Sequence, residues 1–293
     1  MYKSKKYPLV RESGNNYGVY HRVLAEDAGW NHLNMEARLM KVGEKWEGDT
    51  SDYEYGIILL SGNYKITSDK GDWETINGRK SVFKGIGHTL YLPRHTKFSL
   101  TATSDVLDIA YTWVASTKDF PAKFKKPEES VIEIRGGDNA TRQINSLIEP
   151  GFGCEKIIAV EVYTPGGNWS SFPAHKHDCR KLDDAGILLE ACLEEIYFYK
   201  IDKAEGHAIQ QVYTDDRSLD EVMKVKTNDS VLVPRGYHPV VAEHGFNCYY
   251  LNFLAGSDQS LANTPDSNHV WIFDSWKGQD SRIPLVNAEM NNQ

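Results

Sequence analysis

Cysteine is scarce in this chain of 293 residues: there are four, at positions 154, 179, 192 and 248, and no Cys-x-x-Cys pair among them. So few, so spread, cannot staple a chain of this size, and they read as reduced thiols in a cytoplasmic protein. Long apolar runs are also missing. The longest, over 57–60 and over 187–193 with Glu190 inside it, fall far below the ~20 residues needed to cross a bilayer. No apolar stretch or cleavage site follows the basic residues behind Met1, so neither a membrane span nor a secretory signal is expected. Positive charge is the third shortage. Lys and Arg total 33 against 41 Asp and Glu, a net charge of −8, which is the wrong sign for a general partner of nucleic acid.

What is present is an ordinary globular composition, 40% hydrophobic and 25% charged, long enough for about two domains at ~150 residues each. Short runs of aromatic and β-branched residues end in turn chemistry. They predict strands over 53–60, 64–66, 90–92, 106–114, 156–163, 196–201, 208–213, 230–233 and 249–254. Helical periodicity is weak, offering a short helix over 139–147 and a helical turn over 218–222. Many short strands at near-regular spacing predict an all-β sandwich or barrel.

The chain also repeats itself. Leu90-Tyr91-Leu92-Pro93-Arg94 resembles Val231-Leu232-Val233-Pro234-Arg235, an offset of 141 that also carries Glu54 onto Glu195. Upstream, Gly43 to Trp46 match Gly166 to Trp169 at an offset of 123. The difference places an insertion in the second copy, around 179–193. Two copies of one β-domain follow, residues 1–135 and 136–293, joined through the polar stretch 116–130.

Only the second copy carries a metal-binding pattern. In Pro173-Ala174-His175-Lys176-His177-Asp178, the period of two along a strand sends His175 and His177 to one face. Glu195 opens a later strand, and His238 follows Val233-Pro234-Arg235-Gly236-Tyr237. Three imidazoles and one carboxylate suit one divalent Zn, Mn, Fe or Ni ion and leave positions for substrate. The corresponding stretch of the first copy offers Trp46, Glu47, Asp49 and Asp52 but no His-x-His, so that domain is expected to bind no metal, with His88 and His95 structural.

Gly, His-x-His, Glu and a late His after a Pro-bearing turn resemble the cupin superfamily, whose fold is a small jelly-roll barrel; two tandem copies make a bicupin. Tyr163 to Ser171, His175 to Asp178, Val212 to Glu221, Val231 to Val240 and Tyr249 to Gly256 resemble more closely the 5-deoxy-glucuronate isomerases of myo-inositol catabolism. These are related to a uronate ketol-isomerase of pectin breakdown. The resemblance implies metal ligands at His175, His177, Glu195 and His238, Glu195 rather than Glu194 because the family's ligand directly precedes a similar strand. It also implies a small-molecule uronate substrate and a homo-oligomer. An aldose–ketose exchange on such a substrate calls for a proton carrier, for which Asp178, Tyr197 and Tyr199 are candidates, unless hydride moves directly. The substrate carboxylate calls for a planar cation, with Arg235 first, then Arg142, Arg180 and Arg217, and with Tyr237 beside them. An Fe(II) bicupin dioxygenase and a non-catalytic sugar-binding bicupin are the competing readings.

Overall fold

The strand Leu193–Ile201 shows how the second copy is built: every residue is buried except Glu194 and Lys200, as befits a strand inside a sheet rather than at its edge. The computed structural model describes residues 6–7 and 17–292, and strands make up nearly all of its regular structure. Each run predicted as a strand is one, from Tyr53–Ser61 to Cys248–Gly256. No helix among the described residues is long and apolar enough to cross a membrane. All four cysteines are free thiols.

The chain divides into two compact units. One contains residues 17–131, 147–159 and 286–292, the other the strand Lys6–Tyr7 with residues 132–146 and 160–285. In the first, a six-stranded sheet runs Lys123–Lys125, Thr89–Leu92, Tyr53–Ser61, Val106–Ala115, Asn34–Lys41, Gly18–Val23. A four-stranded sheet runs Lys45–Asp49, Lys97–Ala102, Tyr64–Ser68, Gly71–Glu74. Side chains from both sheets, such as Ile57, Leu90 and Ile109 with Tyr64, Phe98 and Leu100, meet in one core. The second unit repeats the plan around a seven-stranded sheet with Leu193–Ile201 between Ser230–Val233 and Cys248–Gly256, and a four-stranded sheet that includes Trp169–Ser170 and Ala208–Tyr213.

Two expectations are corrected. Residues 139–147 are not a helix but a single 3₁₀ turn, Asp138–Ala140, leading into the strand Arg142–Ile148. That strand is buried on both faces, so it lacks the polar stripe of a surface helix, and sheet pairing overrides the weak periodicity. The turn at 218–222 gives way to the strand Asp220–Val225, whose exposure alternates along its length, after Arg217 turns the chain at φ +54°. The polar stretch 116–130 is partly structured. It holds an edge strand, Lys123–Lys125, and buried Lys125 pairs with Glu149 at 2.7 Å.

The copies differ by one residue where it matters most. Val233 and Leu92 are 141 apart, as are Leu254 and Trp113, and all four flank the central strand of their sheet. Glu195 pairs with Val233 and Leu254, but the residue pairing with Leu92 and Trp113 is Tyr55, not Glu54. A one-residue slip reverses every side chain in a strand. Glu54 therefore faces away from the core that Tyr55, Ile57 and Leu59 enter, and the offset that aligned it with Glu195 fails in this strand.

Candidate metal centre and cavity

Three buried groups converge in the second unit. Ligand atoms of His177, Glu195 and His238 lie within 4.8 Å of one another. His177 comes from the segment after the short strand His175–Lys176, Glu195 from the central strand, and His238 from the loop after Ser230–Val233. Pairing Glu195 with Val233 brings the last two together.

Hydrogen bonding fixes the tautomers. His177 Nδ1 lies 3.2 Å from the Leu193 carbonyl and His238 Nδ1 lies 2.8 Å from the Gly236 carbonyl. A carbonyl only accepts, so each Nδ1 carries a hydrogen, and in the neutral ring each Nε2 is left with a lone pair. Both lone pairs point at the same carboxylate oxygen. Glu195 Oε2 is 2.9 Å from His177 Nε2 and 3.3 Å from His238 Nε2, and the latter nitrogen is buried with no hydrogen bond. Acceptors facing one another in a buried site need a proton or a metal cation between them. Burial lowers the His238 pKa to about 3, so no proton takes that place on His238. On His177 burial also opposes charge, but the Glu195 carboxylate wins and raises its pKa. The donor set fits a divalent metal ion, which would take the place of the proton that the carboxylate favours on His177: two imidazoles and a carboxylate whose other oxygen is held at 2.5 Å by Asn252 Nδ2.

His175 lies beside this group, its ring centroid 4.9 Å from that of His238, and it hydrogen-bonds the Pro173 backbone. Burial, then His177 and the arginines nearby, lowers its pKa to about 3 and keeps it a neutral ligand-type imidazole. It lines a cavity together with His177, Glu195, Tyr197, Ser171 and Arg142. Arg142 is buried there. Its guanidinium donates to the Phe172 carbonyl at 2.9 Å, while its Nε has no partner. Arg135, paired with Glu133 at 2.6 and 2.8 Å, also lines the cavity. The Tyr197 hydroxyl is 3.0 Å from Ser171 Oγ, which lies 3.4 Å from the Tyr250 hydroxyl. Burial, reinforced by Glu195, raises the Tyr197 pKa far above the ordinary tyrosine range, so it stays a phenol.

A model of the KduI/IolB family matches residues 8–272. The chain belongs to this family. It is 37% identical over 268 residues to the 5-deoxy-glucuronate isomerase of Geobacillus kaustophilus, covering 91% of this chain and 95% of that protein. To the protein of the same name from Bacillus subtilis strain 168 it is 33% identical, covering 91% and 97%. The crystal structure of an IolB-like protein from Salmonella typhimurium LT2 is similar with a TM-score of 0.84 at 32% identity, covering 91% of this chain and 98% of that one. A mutant of Bacillus subtilis oxalate decarboxylase shares the fold alone, with a TM-score of 0.62 at 12% identity over 89% of this chain and 78% of that one. The fold is the bicupin expected.

Several residues singled out from the sequence of this family member lie outside the cavity lining, each engaged elsewhere. The Asp178 carboxylate accepts the Gly236 N–H at 2.6 Å, and burial raises its pKa. The Tyr199 hydroxyl donates to Gln210 at 2.7 Å. Arg235 donates to Ser218 Oγ at 3.1 Å, Arg180 pairs with Asp258 at 3.0 Å, and Arg217 pairs with Asp220 over the Tyr213 ring. The Tyr237 hydroxyl donates to Asp215 at 2.8 Å. Glu190, close in sequence to Glu195, is consumed by the backbone N–H groups of Asp178 and Cys179 and by Lys181. Sequence reasoning missed Arg135, Ser171, Tyr250 and Asn252. Only Asn252 left a signal, as an amide inside the otherwise apolar run Tyr249 to Ala255.

Among the described residues of the first unit, the corresponding strand position carries a tyrosine. Tyr55, in the place of Glu195, packs with Phe98, Tyr111 and Trp113. The ring centroids of Trp46 and Tyr111 are 4.4 Å apart, so aromatic rings fill the interior. Glu54, on the other face, accepts the backbone N–H groups of Glu155, Lys156 and Ile157 at 2.7 to 3.0 Å and the Tyr91 hydroxyl at 3.0 Å.

Proposed function

We propose that this chain is a metal-dependent aldose–ketose isomerase that converts 5-deoxy-D-glucuronate to 5-dehydro-2-deoxy-D-gluconate in myo-inositol breakdown. The family and the names of its relatives support the reaction. The single observation that carries the metal dependence is the pair of imidazole lone pairs aimed at Glu195 Oε2. His177, Glu195 and His238, with His175 beside them, would hold one divalent Zn, Mn, Fe or Ni ion. A bound ion would supply Lewis acidity toward the substrate's carbonyl and hydroxyl oxygens.

The chain's own residues do the rest. Arg142 binds the substrate carboxylate with its unpartnered Nε. This is a local counter-charge in a protein of net charge −8. Tyr197, a phenol paired with Ser171, passes a proton between O2 and O1. With His175 as a ligand, the described cavity wall keeps no free carboxylate or imidazole to act as base on C2–H. The hydrogen on C2 then moves to C1 directly.

The test is anaerobic incubation of the metal-loaded protein with 5-deoxy-glucuronate, following the aldehyde proton by NMR. We expect its loss, abolition by a chelator, and restoration by added metal. Absence of conversion, or conversion undiminished in His238→Ala, rejects the proposal. Substrate deuterated at C2 is expected to keep its label at C1; exchange of the label into water rejects the direct transfer and requires a base.

A further inference from the structure

The insertion that separates His177 from Glu195 carries two of the four cysteines. Both Cys179 and Cys192 are exposed, whereas Cys154 and Cys248 are buried. The two flank a hairpin whose strands, Lys181–Leu182 and Leu188–Glu190, pair Lys181 with Glu190. Two residues outward along each strand are Cys179 and Cys192, so a continuation of this antiparallel pairing past Lys181 and Glu190 sets the two opposite each other.

Hydrogen bonds tighten this placement. The Cys192 thiol donates to the Asp178 carbonyl at 3.0 Å. That oxygen belongs to the peptide joining Asp178 to Cys179, so the Cys192 sulfur lies no more than about 6 Å from the Cys179 Cα. The Cys179 N–H is fixed on Glu190, two residues before Cys192. Opposed strand positions have the Cα separation that a disulfide spans, and rotation about the Cα–Cβ bonds brings the sulfurs together.

We infer that Cys179 and Cys192 are a modification site, a dithiol that closes to a disulfide across the base of this hairpin. The oxidant is a small-molecule disulfide. One thiolate attacks it, forming a mixed disulfide and expelling one thiolate. The second cysteine attacks the protein-bound sulfur and expels the other. The protein gives up two thiol hydrogens and gains one S–S bond, and the oxidant becomes two thiols. Closure ties together the segments that hold His177. Leu193, next to Cys192, binds the His177 backbone carbonyl with its N–H and the His177 ring with its carbonyl, and Asp178, next to Cys179, holds the Gly236 N–H.

The test treats the full-length, metal-loaded protein with glutathione disulfide under native conditions. Expected are a fall in free thiols from the four present to two, a mass lower by about 2 Da, and a peptide map linking Cys179 to Cys192. In Cys179→Ser and in Cys192→Ser the remaining exposed cysteine should accumulate a stable glutathione adduct, because no second thiol resolves it. Stable adducts on both cysteines of the unaltered protein, four thiols left unreacted, or loss of two hydrogens in Cys179→Ser each overturn the proposal.

Discussion

Replacing Glu54 tests whether the carboxylate that sequence alignment sets against Glu195 is a buried structural anchor. In Glu54→Ala four donors lose their acceptor: the N–H groups of Glu155, Lys156 and Ile157 and the hydroxyl of Tyr91. Ile157 and Tyr91 are fully buried and Glu155 and Lys156 half-buried, so water replaces the acceptor for only two of them. An orphaned buried donor costs about 1–3 kcal/mol and a bond to a charged group contributes about 1.5–3, so the loss should be about 4 kcal/mol. Glu54→Gln keeps a carbonyl acceptor but turns an NH₂ toward the donors, and about 2 kcal/mol is expected. Urea unfolding followed by tryptophan fluorescence, to which Trp46 and Trp113 of this unit contribute, reads the change. With a slope of about 2 kcal/mol per M, the alanine midpoint should fall by about 2 M. Bound metal should be unchanged. A loss below about 1 kcal/mol in the alanine variant, or a loss of metal without loss of stability, would refute the reasoning.

Three further predictions concern the cavity and the pH response. Arg142→Met should lower kcat/KM about a hundredfold, mostly through KM, with Arg142→Lys recovering part of it; steady-state kinetics with far-UV circular dichroism as the fold control checks this. Tyr197→Phe should lower kcat about tenfold to a hundredfold while KM stays within about twofold, and an unchanged kcat would remove Tyr197 from the chemistry. Burial lowers the His88 pKa from 6.5 to about 4, with Glu128 opposing. The unfolded chain therefore takes up a proton as the pH falls below 6.5 while the folded chain does not. Stability present above pH 6.5 should be lost as the pH falls toward 4, by up to about 3 kcal/mol, and unfolding midpoints across that window should slope less in His88→Gln.

The fold was largely legible because strands announce themselves locally. Runs such as Tyr53–Ser61 and Cys248–Gly256 combine β-branched or aromatic residues with turn residues at their ends, and neither signal depends on distant contacts. Arg142–Ile148 was misread as a helix because it is buried on both faces, which erases the alternation that marks a half-buried strand. Its weak helical pattern was then the only periodicity left to read. The candidate ligands were legible in the pattern, since the alternation of His175 and His177, the Glu195 that opens a strand and the late His238 are each local signals. The arginines were not. Arg235 and Arg142 look alike in sequence, and what separates them is that Arg235 reaches Ser218 while Arg142 is held inside the barrel by the Phe172 carbonyl.

The failed alignment of Glu54 with Glu195 shows why a sequence repeat does not by itself carry a site from one copy to the other. Two segments keep an offset of 141 and a third an offset of 123, yet sheet pairing is decided residue by residue, and here the central strand of one unit is offset by one position from the other. Because side chains alternate, that single position exchanges a carboxylate for a tyrosine inside the barrel. The two solutions are each internally consistent. In one, Tyr55 completes an aromatic core with Trp46, Phe98, Tyr111 and Trp113, and the displaced carboxylate of Glu54 finds three backbone amides on the opposite face. In the other, Glu195 remains inside, where two imidazole lone pairs converge on it and the interior is left polar. Removing the carboxylate is therefore expected to act in opposite ways in the two units: it should cost folding stability in the first and bound metal in the second, so that stability and metal content, measured on Glu54→Ala and Glu195→Ala side by side, separate the two roles that one glutamate per copy suggests.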